Sequence, residues 1–469
     1  MLERKNPMTR LPFPLLLLGA LLSGCAAVPD ARPPAPATPA AWQAPTGNSS
    51  APDWAGLLDP QLAALQAQAL QANRDIAQAA LRWQQAQTQA QLGGLRLRPS
   101  LGLSSSGNRP LESQGGTRTV DVGGASVPVS SQVGWSRSYG ASASVGYELD
   151  LWGRLAAGQA AQAAQAQAAR TDISAAQQLI RSRVAEAYWT LAAIAEQRPL
   201  AEQQLAINTQ VLEAVSLRVR EGKLLPIEID KAAGNVQQAQ VRLADLAADA
   251  QQQRYQLALL LDQALPGPTL TAPRLPSQSL PNWAPGAPAE LLERRPDVQR
   301  ARLQVDAALA RTQAAKAERY PSLSFSAGVS TGGSKLSDWL SNPIANLGAN
   351  LAVPLIDWRR LDLQQTSART ELELSALALR DTVQKALVEV ENQLIDSERL
   401  QQQLGANAQR LQEAREAERL AQLRLQVGAI ARADALQSQS ARLEAEQGRI
   451  QLQLRAWLNR AALARTLAL

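Results

Sequence analysis

The chain has 469 residues, 45% hydrophobic and 19% charged, enough material for two or three folded regions. It carries no histidine and one cysteine, which excludes internal disulfides, nearly every Cys/His metal site and most histidine-dependent acid–base or nucleophilic chemistry. The formal charge of +6 and the pI near 9.7 come from a scattered surplus of arginine without a Lys/Arg run, so a nucleic-acid patch is not expected.

The first predicted element is a leader. Arg4, Lys5 and Arg10 precede an apolar stretch from Leu11 to Leu22, followed by Ser23-Gly24-Cys25. A basic start and roughly a dozen apolar residues predict a signal peptide over 1–24, too short to span a bilayer. Its loss removes three cations and Glu3, leaving about +4. Leu22-Ser23-Gly24-Cys25 resembles the bacterial lipobox. That resemblance implies acylation of Cys25, with the covalent lipid as the only attached group and no other cofactor. A buried free cysteine near an ordinary cleavage site is the alternative. Ala26 follows, not the aspartate that marks inner-membrane retention. Residues 25–56 are rich in proline and alanine and predict a semi-rigid lipidated tether. Past the leader no run of 18 apolar residues remains, which excludes a helical membrane protein but not a β-barrel.

A second proline-rich stretch, 264–288, separates two regions that can be overlaid, 57–263 and 289–469. Asp75-Ile76 matches Asp297-Val298, and Pro99-Ser100-Leu101 matches Pro321-Ser322-Leu323, at a shift of 222. Trp152, Arg154, Leu217-Arg218 and Gly222 match Trp358, Arg360, Leu423-Arg424 and Gly428 at a shift of 206. Each copy predicts helix, strand, loop, strand, very long helix, turn, helix.

The strands are read from period-2 alternation. Tyr139, Ala141, Ala143, Val145, Tyr147 and Leu149 share one face against Gly, Ser and Glu148. Leu347, Ala349, Leu351, Val353 and Leu355 are the counterpart, and shorter partners lie at Leu101–Leu103 and Leu323–Val329. Such runs suit tilted membrane strands, with a half-buried soluble sheet as the alternative. Loops are expected over 105–138 and 331–345. Trp135 and Trp339 lie at the loop ends and Trp152 and Trp358 at the opposite ends, as two interfacial girdles would; buried strand–helix corners are the other reading of the last two. Helices are predicted from about Leu155 to Glu221 and from about Leu361 to Val427, broken only by Pro199 and Gly405, each reaching roughly 100 Å.

Four strands cannot close a barrel, and an open sheet in lipid leaves backbone groups unsatisfied. Two copies give a filled interior, so a channel needs at least three. The expected architecture is mainly α with a trimeric shared β-barrel, four strands per chain, continuing into a long helical α-barrel. The strand–helix junctions then face the periplasm, and the turns at Gly222 and Gly428 form the far tip.

The run Tyr147-Glu148-Leu149-Asp150-Leu151-Trp152-Gly153-Arg154 resembles the signature of the TolC-like outer-membrane efflux family, in its OprM/NodT-like lipoprotein branch. Arg294-Arg295-Pro296-Asp297-Val298, Arg319-Tyr320-Pro321 and Arg424-Leu425-Gln426-Val427-Gly428 are similar to further family segments. The resemblance implies a homotrimeric exit duct in the outer membrane and no enzymatic activity. Its partners would be outer-membrane lipid, a periplasmic adaptor protein and an inner-membrane transporter of the RND type. A protein-secretion duct of the type I kind and a soluble coiled-coil lipoprotein are the rival readings. The family gate acid matches Asp434, and Glu228 stands at the same distance from Gly222; outward-facing helix charges are the alternative. A second gate acid falls at Gln437, and the latching tyrosine and arginine fall at Leu425 and Ile430, which puts the polar latch in doubt and leaves closure by carboxylates or by apolar residues open. Gly222-Lys223-Leu224 and Gly428-Ala429-Ile430 are expected to meet the adaptor, although the glycines also read as helix C-caps.

Overall fold

The structure is a computed structural model that describes residues 33–34, 36–44, 59–108, 117–130, 137–271, 273–276 and 285–468. Cys25, Trp135, the leader and most of the tether lie outside the described residues. In chain order the elements are α1 (Pro60–Ala72), α2 (Arg74–Leu95), β1 (Ser100–Asn108), β2 (Thr117–Val122), β3 (Ala125–Ser130), β4 (Ser138–Leu149), α3 (Arg154–Arg220) and α4 (Ile227–Leu260). They continue as α5 (Pro288–Arg294), α6 (Pro296–Ala317), β5 (Ser322–Gly333), a short 3-10 turn (Leu336–Asp338), β6 (Ile344–Ala352), α7 (Trp358–Gln426) and α8 (Arg432–Thr466). Adding 222 to both bounds of α2 gives those of α6, and adding 206 to the last residues of α3 and α4 gives those of α7 and α8.

Contacts group the chain into two units. The first holds residues 87–164 and 305–374 and contains an antiparallel sheet in the order β1-β4-β5-β6. Its register aligns rows of like side chains. Leu101, Val145, Ala327 and Leu347 form one cross-strand row, and Leu149, Leu323 and Leu351 another. Rows on the opposite face carry Ser104, Ser142 and Ser330 with Ile344 at the β6 end, or Ser100, Gly146, Ser326 and Gly348. Period-2 alternation therefore produces one apolar face and one that is mostly small or polar, with Ile344 the exception.

The strand ends differ from the sequence expectation in three places. β6 spans Ile344–Ala352 instead of reaching Leu355, because Pro354 offers no N–H to a ladder. The expected loop over 105–138 contains the end of β1 and a hairpin, β2–β3, turned by Gly123 and Gly124 at φ 67° and 86°. β5 runs to Gly333, so the loop expected from 331 starts later.

The second unit holds residues 35–86, 165–304 and 375–469 and is helical. Its core gathers Leu62 of α1, Ile180, Val184 and Trp189 of α3, Leu257 and Leu261, Val390 and Leu394 of α7, and Ile450, Trp457 and Leu463 of α8. The rings of Trp189 and Trp457 lie 5.3 Å apart, tilted by 45°, and both are fully buried. Burying an aromatic pair of this size contributes about 3–6 kcal/mol from area alone. α3 and α7 pass through Pro199 and Gly405 without interruption. Proline there removes one i→i−4 hydrogen bond, a loss that packing along the rest of a 67-residue helix offsets.

Breaks between paired helices have local causes. Asp59 caps α1, its carboxylate accepting from Leu62 N at 2.8 Å. Asn73 ends that helix and starts the next: its Oδ1 accepts from Asp75 N at 2.9 Å and its Nδ2 donates to Leu260 O at 3.0 Å. At the matching place Arg295 separates α5 from α6, and Pro296 forbids a continuous helix. The Arg295 guanidinium, 8% exposed, donates to Asp297 at 2.8 and 3.1 Å, to Glu389 at 2.9 Å and to Thr466 O at 3.1 Å. Thr466 is Leu260 shifted by 206, so Asn73 and Arg295 tie equivalent helix ends.

Candidate membrane face and hairpin turns

Within the first unit, the apolar face of the sheet is solvent-exposed. Leu101 is 70% and Leu347 87% exposed, and Leu103, Val145, Phe325, Val329 and Leu351 are exposed with them. Covering seven such side chains is worth on the order of 10 kcal/mol, comparable with the whole stability of a domain. A contiguous patch of this kind marks a contact surface. The edges β1 and β6 carry unpaired backbone groups, and every residue of both strands is exposed.

The strand-to-helix corner explains the signature run residue by residue. Gly153 turns the chain at φ 72°, where a side chain would be strained. Asp150 then caps α3, its carboxylate accepting from Leu155 N at 3.0 Å and Ala156 N at 2.8 Å. Arg154 reaches back to Glu148 at 2.6 Å. Trp152 stacks on Tyr320 with centroids 4.7 Å apart and donates through Nε1 to Pro321 O at 2.8 Å. Arg319 bonds Gln365 at 2.7 Å and Asp362 at 2.9 Å and lies 5.8 Å from the Trp358 ring centre. Trp152 is half-buried at this corner, whereas Trp358 is 51% exposed. Trp339 follows the 3-10 turn at the other end of the sheet, and its carbonyl accepts from Thr331 Oγ1 at 2.6 Å.

The second corner is built differently. Shifted by 206, Asp150 becomes Ile356, Gly153 becomes Arg359, and the helix begins at Trp358 itself. Sequence reading gave the tryptophans a role, held Asp150 and Tyr320 only as parts of family-like segments without a role, and did not name Ile356. A carboxylate two residues before a Trp-Gly pair was the available signal for the cap.

In the second unit the two turns are near copies. Gly222 sits at φ 71°; its N–H bonds Val219 O at 2.9 Å, and Lys223 N bonds Arg218 O at 2.8 Å. Gly428 sits at φ 74°; its N–H bonds Leu425 O at 3.0 Å, and Ala429 N bonds Arg424 O at 2.8 Å. Both are Schellman ends, in which a left-handed residue satisfies the last carbonyls. A Cβ at either glycine would meet no atom, so the conformation alone requires glycine there.

Lys223 pairs with Glu221 at 2.8 Å and holds its carboxyl below the usual carboxylate range. Leu224 and Ile430 are half-buried; Ala429, Val427, Leu225 and Ile227 are exposed, the last two having escaped the sequence reading. Asp434 is exposed in the first turn of α8 and accepts from Ala431 N at 3.3 Å through Oδ2. Glu228 holds the matching place in α4 and pairs with Lys231 at 2.8 Å. Arg432 donates to Gln210 at 3.0 Å, and Gln204 with Ser440 at 2.8 Å joins α3 to α8 nearby. Among the described residues no cluster of acidic, histidine or cysteine side chains could hold a metal, and no helix is long and apolar enough to cross a membrane.

An exposed apolar sheet face with open edges, joined in sequence to long helical hairpins, defines a membrane-associated β-strand protein with a helical extension. The outer membrane efflux protein family matches residues 65–263 and again residues 287–469, and the chain belongs to that family. The pyoverdine export outer membrane protein OpmQ of Pseudomonas putida is 30% identical over 428 residues, covering 89% of each chain. Its namesake from Pseudomonas aeruginosa is 29% identical over 441 residues, covering 92% of this chain and 91% of the relative. The open-state Neisseria gonorrhoeae MtrE outer membrane channel has the same fold, with a TM-score of 0.80 at 24% identity over 95% of this chain and 98% of that one. The protein is thus an outer-membrane efflux protein, in a family of channels rather than enzymes.

Proposed function

We propose that three copies of this chain pool their sheets into one barrel and form the exit duct of a tripartite pump for small molecules. The observation that carries the reading is the exposed apolar face flanked by two unpaired edges. Lipid would cover the face, but an open edge in lipid is unsatisfied, so β1 of one copy must meet β6 of the next. Alternation along β1-β4-β5-β6 makes that seam antiparallel, and three chains of four strands give twelve, enough for an open lumen. Relatives named for pyoverdine export, antibiotic efflux and cation efflux support a small-molecule cargo over a secreted protein.

The finer parts follow from the same reading. Cys25 carries the lipid and residues 25–56 tether it. Residues 57–263 and 289–469 are two copies of one unit linked by 264–288, a division supported by the shared shifts of 222 and 206. Trp135 and Trp339 mark the outer interface, Trp152 and Trp358 the periplasmic one. The turns with Gly222, Lys223 and Leu224 and with Gly428, Ala429 and Ile430 meet the adaptor, which joins an inner-membrane transporter of the RND type. Asp434 and Glu228 ring the periplasmic gate in threes. Asp434 is the stronger charge of the two, since Lys231 neutralises Glu228.

The test is the export and resistance profile of a deletion strain complemented with the wild type or with Cys25→Ser, alongside the oligomeric state. Heat-modifiable trimers that conduct in planar bilayers are expected. A protein that stays monomeric and freely soluble without its acyl group would overturn the reading.

A further inference from the structure

This inference rests on the membrane reading above and concerns the end of the sheet where the helices start. The last apolar row there is Leu149, Leu323 and Leu351. Beyond it Leu355 and Ile356 are exposed, Ile356 at 97%. The charged groups at this end sort by partner. Arg154 is paired with Glu148 at 2.6 Å, Arg360 with Asp357 at 3.2 Å and Arg319 with Asp362 at 2.9 Å, while Asp150 caps α3. Arg96 and Arg98, between α2 and β1, and Arg359, in α7, are exposed. Among the described residues these three have no carboxylate partner, and Glu318 is the unpaired acid beside them. The local surplus is therefore positive, and it lies where the apolar face stops.

We propose that Arg96, Arg98 and Arg359 form a basic belt that binds the phosphate groups of anionic phospholipids in the periplasm-facing leaflet, with Leu355 and Ile356 seated among the acyl chains. A guanidinium donates two parallel hydrogen bonds to a phosphate, and its apolar stem can lie along the hydrocarbon boundary. Arg96 and Arg98 precede β1 and Arg359 follows β6, so they flank opposite edges of the sheet. Closure of neighbouring sheets would bring them together across each seam. A free phosphate ion would leave Leu355 and Ile356 without a role, and an acidic protein would not continue the apolar face. A lipid satisfies both halves of the surface. Each such cation near the headgroups enriches anionic lipid by about fivefold.

The experiment uses the full-length trimer in phosphatidylcholine vesicles that contain a fixed minority of dibrominated lipid, either phosphatidylglycerol or phosphatidylcholine. Bromine quenches tryptophan fluorescence at close range, and Trp152 and Trp358 lie at this level. Brominated phosphatidylglycerol is expected to quench as if enriched roughly fivefold over brominated phosphatidylcholine. The triple variant Arg96→Gln, Arg98→Gln, Arg359→Gln should lose that preference and keep the quenching by brominated phosphatidylcholine, which reports that it is still inserted. If the triple variant does not insert, Arg359→Gln alone must lower the preference. Equal quenching by both lipids in the wild type, or an undiminished preference in the variants, would overturn the basic belt. Absence of quenching by either lipid would instead overturn the membrane reading.

Discussion

At the scale of single residues, Asp434 has a local task besides the one proposed for it. Its carboxylate accepts from Ala431 N, so it caps α8 as well as carrying charge. Substitution can separate the two. Asp434→Asn keeps an accepting oxygen and removes the charge; cation preference in planar bilayers should fall while thermal stability holds. Asp434→Ala removes both, and unfolding should ease by about 1 kcal/mol in addition. Unchanged conductance in both variants would take Asp434 out of the gate.

Arg295 offers a second residue-scale test. Burial of Asp297 raises its carboxyl pKa, but Arg295 beside it lowers it further, and the net position is below the usual range. Burial likewise works against the Arg295 charge, and Asp297 and Glu389 restore it. A depressed carboxylate contributes stability that is present above its unfolded pKa, about 4, and lost as pH falls through its folded value. Acid unfolding of the wild type should steepen below about pH 4, and Asp297→Asn should flatten that limb. Arg295→Met should cost about 1–3 kcal/mol, because Asp297 and the carbonyl of Thr466 lose their donor while Glu389 keeps Arg465 at 2.6 Å.

At the scale of elements, the hairpin turns and the strand–helix corner make separable predictions. Gly428→Trp places a side chain in open space at a left-handed φ, so trimer and membrane insertion should survive. Resistance should be abolished, because the exposed turn could no longer seat its partner. Gly428→Asn tolerates that φ and should retain most function. Normal resistance in the tryptophan variant would remove the turn from the adaptor contact. Helix positions were largely legible in the chain: the expected bounds of α3 and α7 agree with the observed ones to within a few residues. Their ends are written in glycine and aspartate chemistry, which acts over three or four residues. The hairpin β2–β3 was not legible, since its Gly, Ser and Val composition also suits an irregular loop.

At the scale of the whole molecule, the two faces of the sheet must differ in what they tolerate. Leu347→Arg and Asn346→Arg alter neighbouring residues of β6 on opposite faces. The first should cost about 2–4 kcal/mol and impair insertion, as a midplane cation facing lipid does. The second should insert normally and only change conductance. Equal tolerance of both would contradict a lipid-facing sheet. A single chain leaves the apolar face of its sheet exposed and the edges β1 and β6 unpaired.

Much of the architecture was settled by periodicity, because side-chain spacing on strands and helices depends on backbone geometry alone. The alternation at Tyr139–Leu149, the two long helices and the shifts of 222 and 206 needed no coordinates. Tertiary structure decided which distant groups meet. Nothing local pairs Trp152 with Tyr320 and Pro321, or Arg295 with Glu389 and the carbonyl of Thr466, since those partners lie far along the chain. Nor could spacing reveal that Arg96, Arg98 and Arg359 lack carboxylates while Arg154, Arg319 and Arg360 have them. Charge neutralisation depends on separations of a few ångströms through space, and only the folded chain sets those.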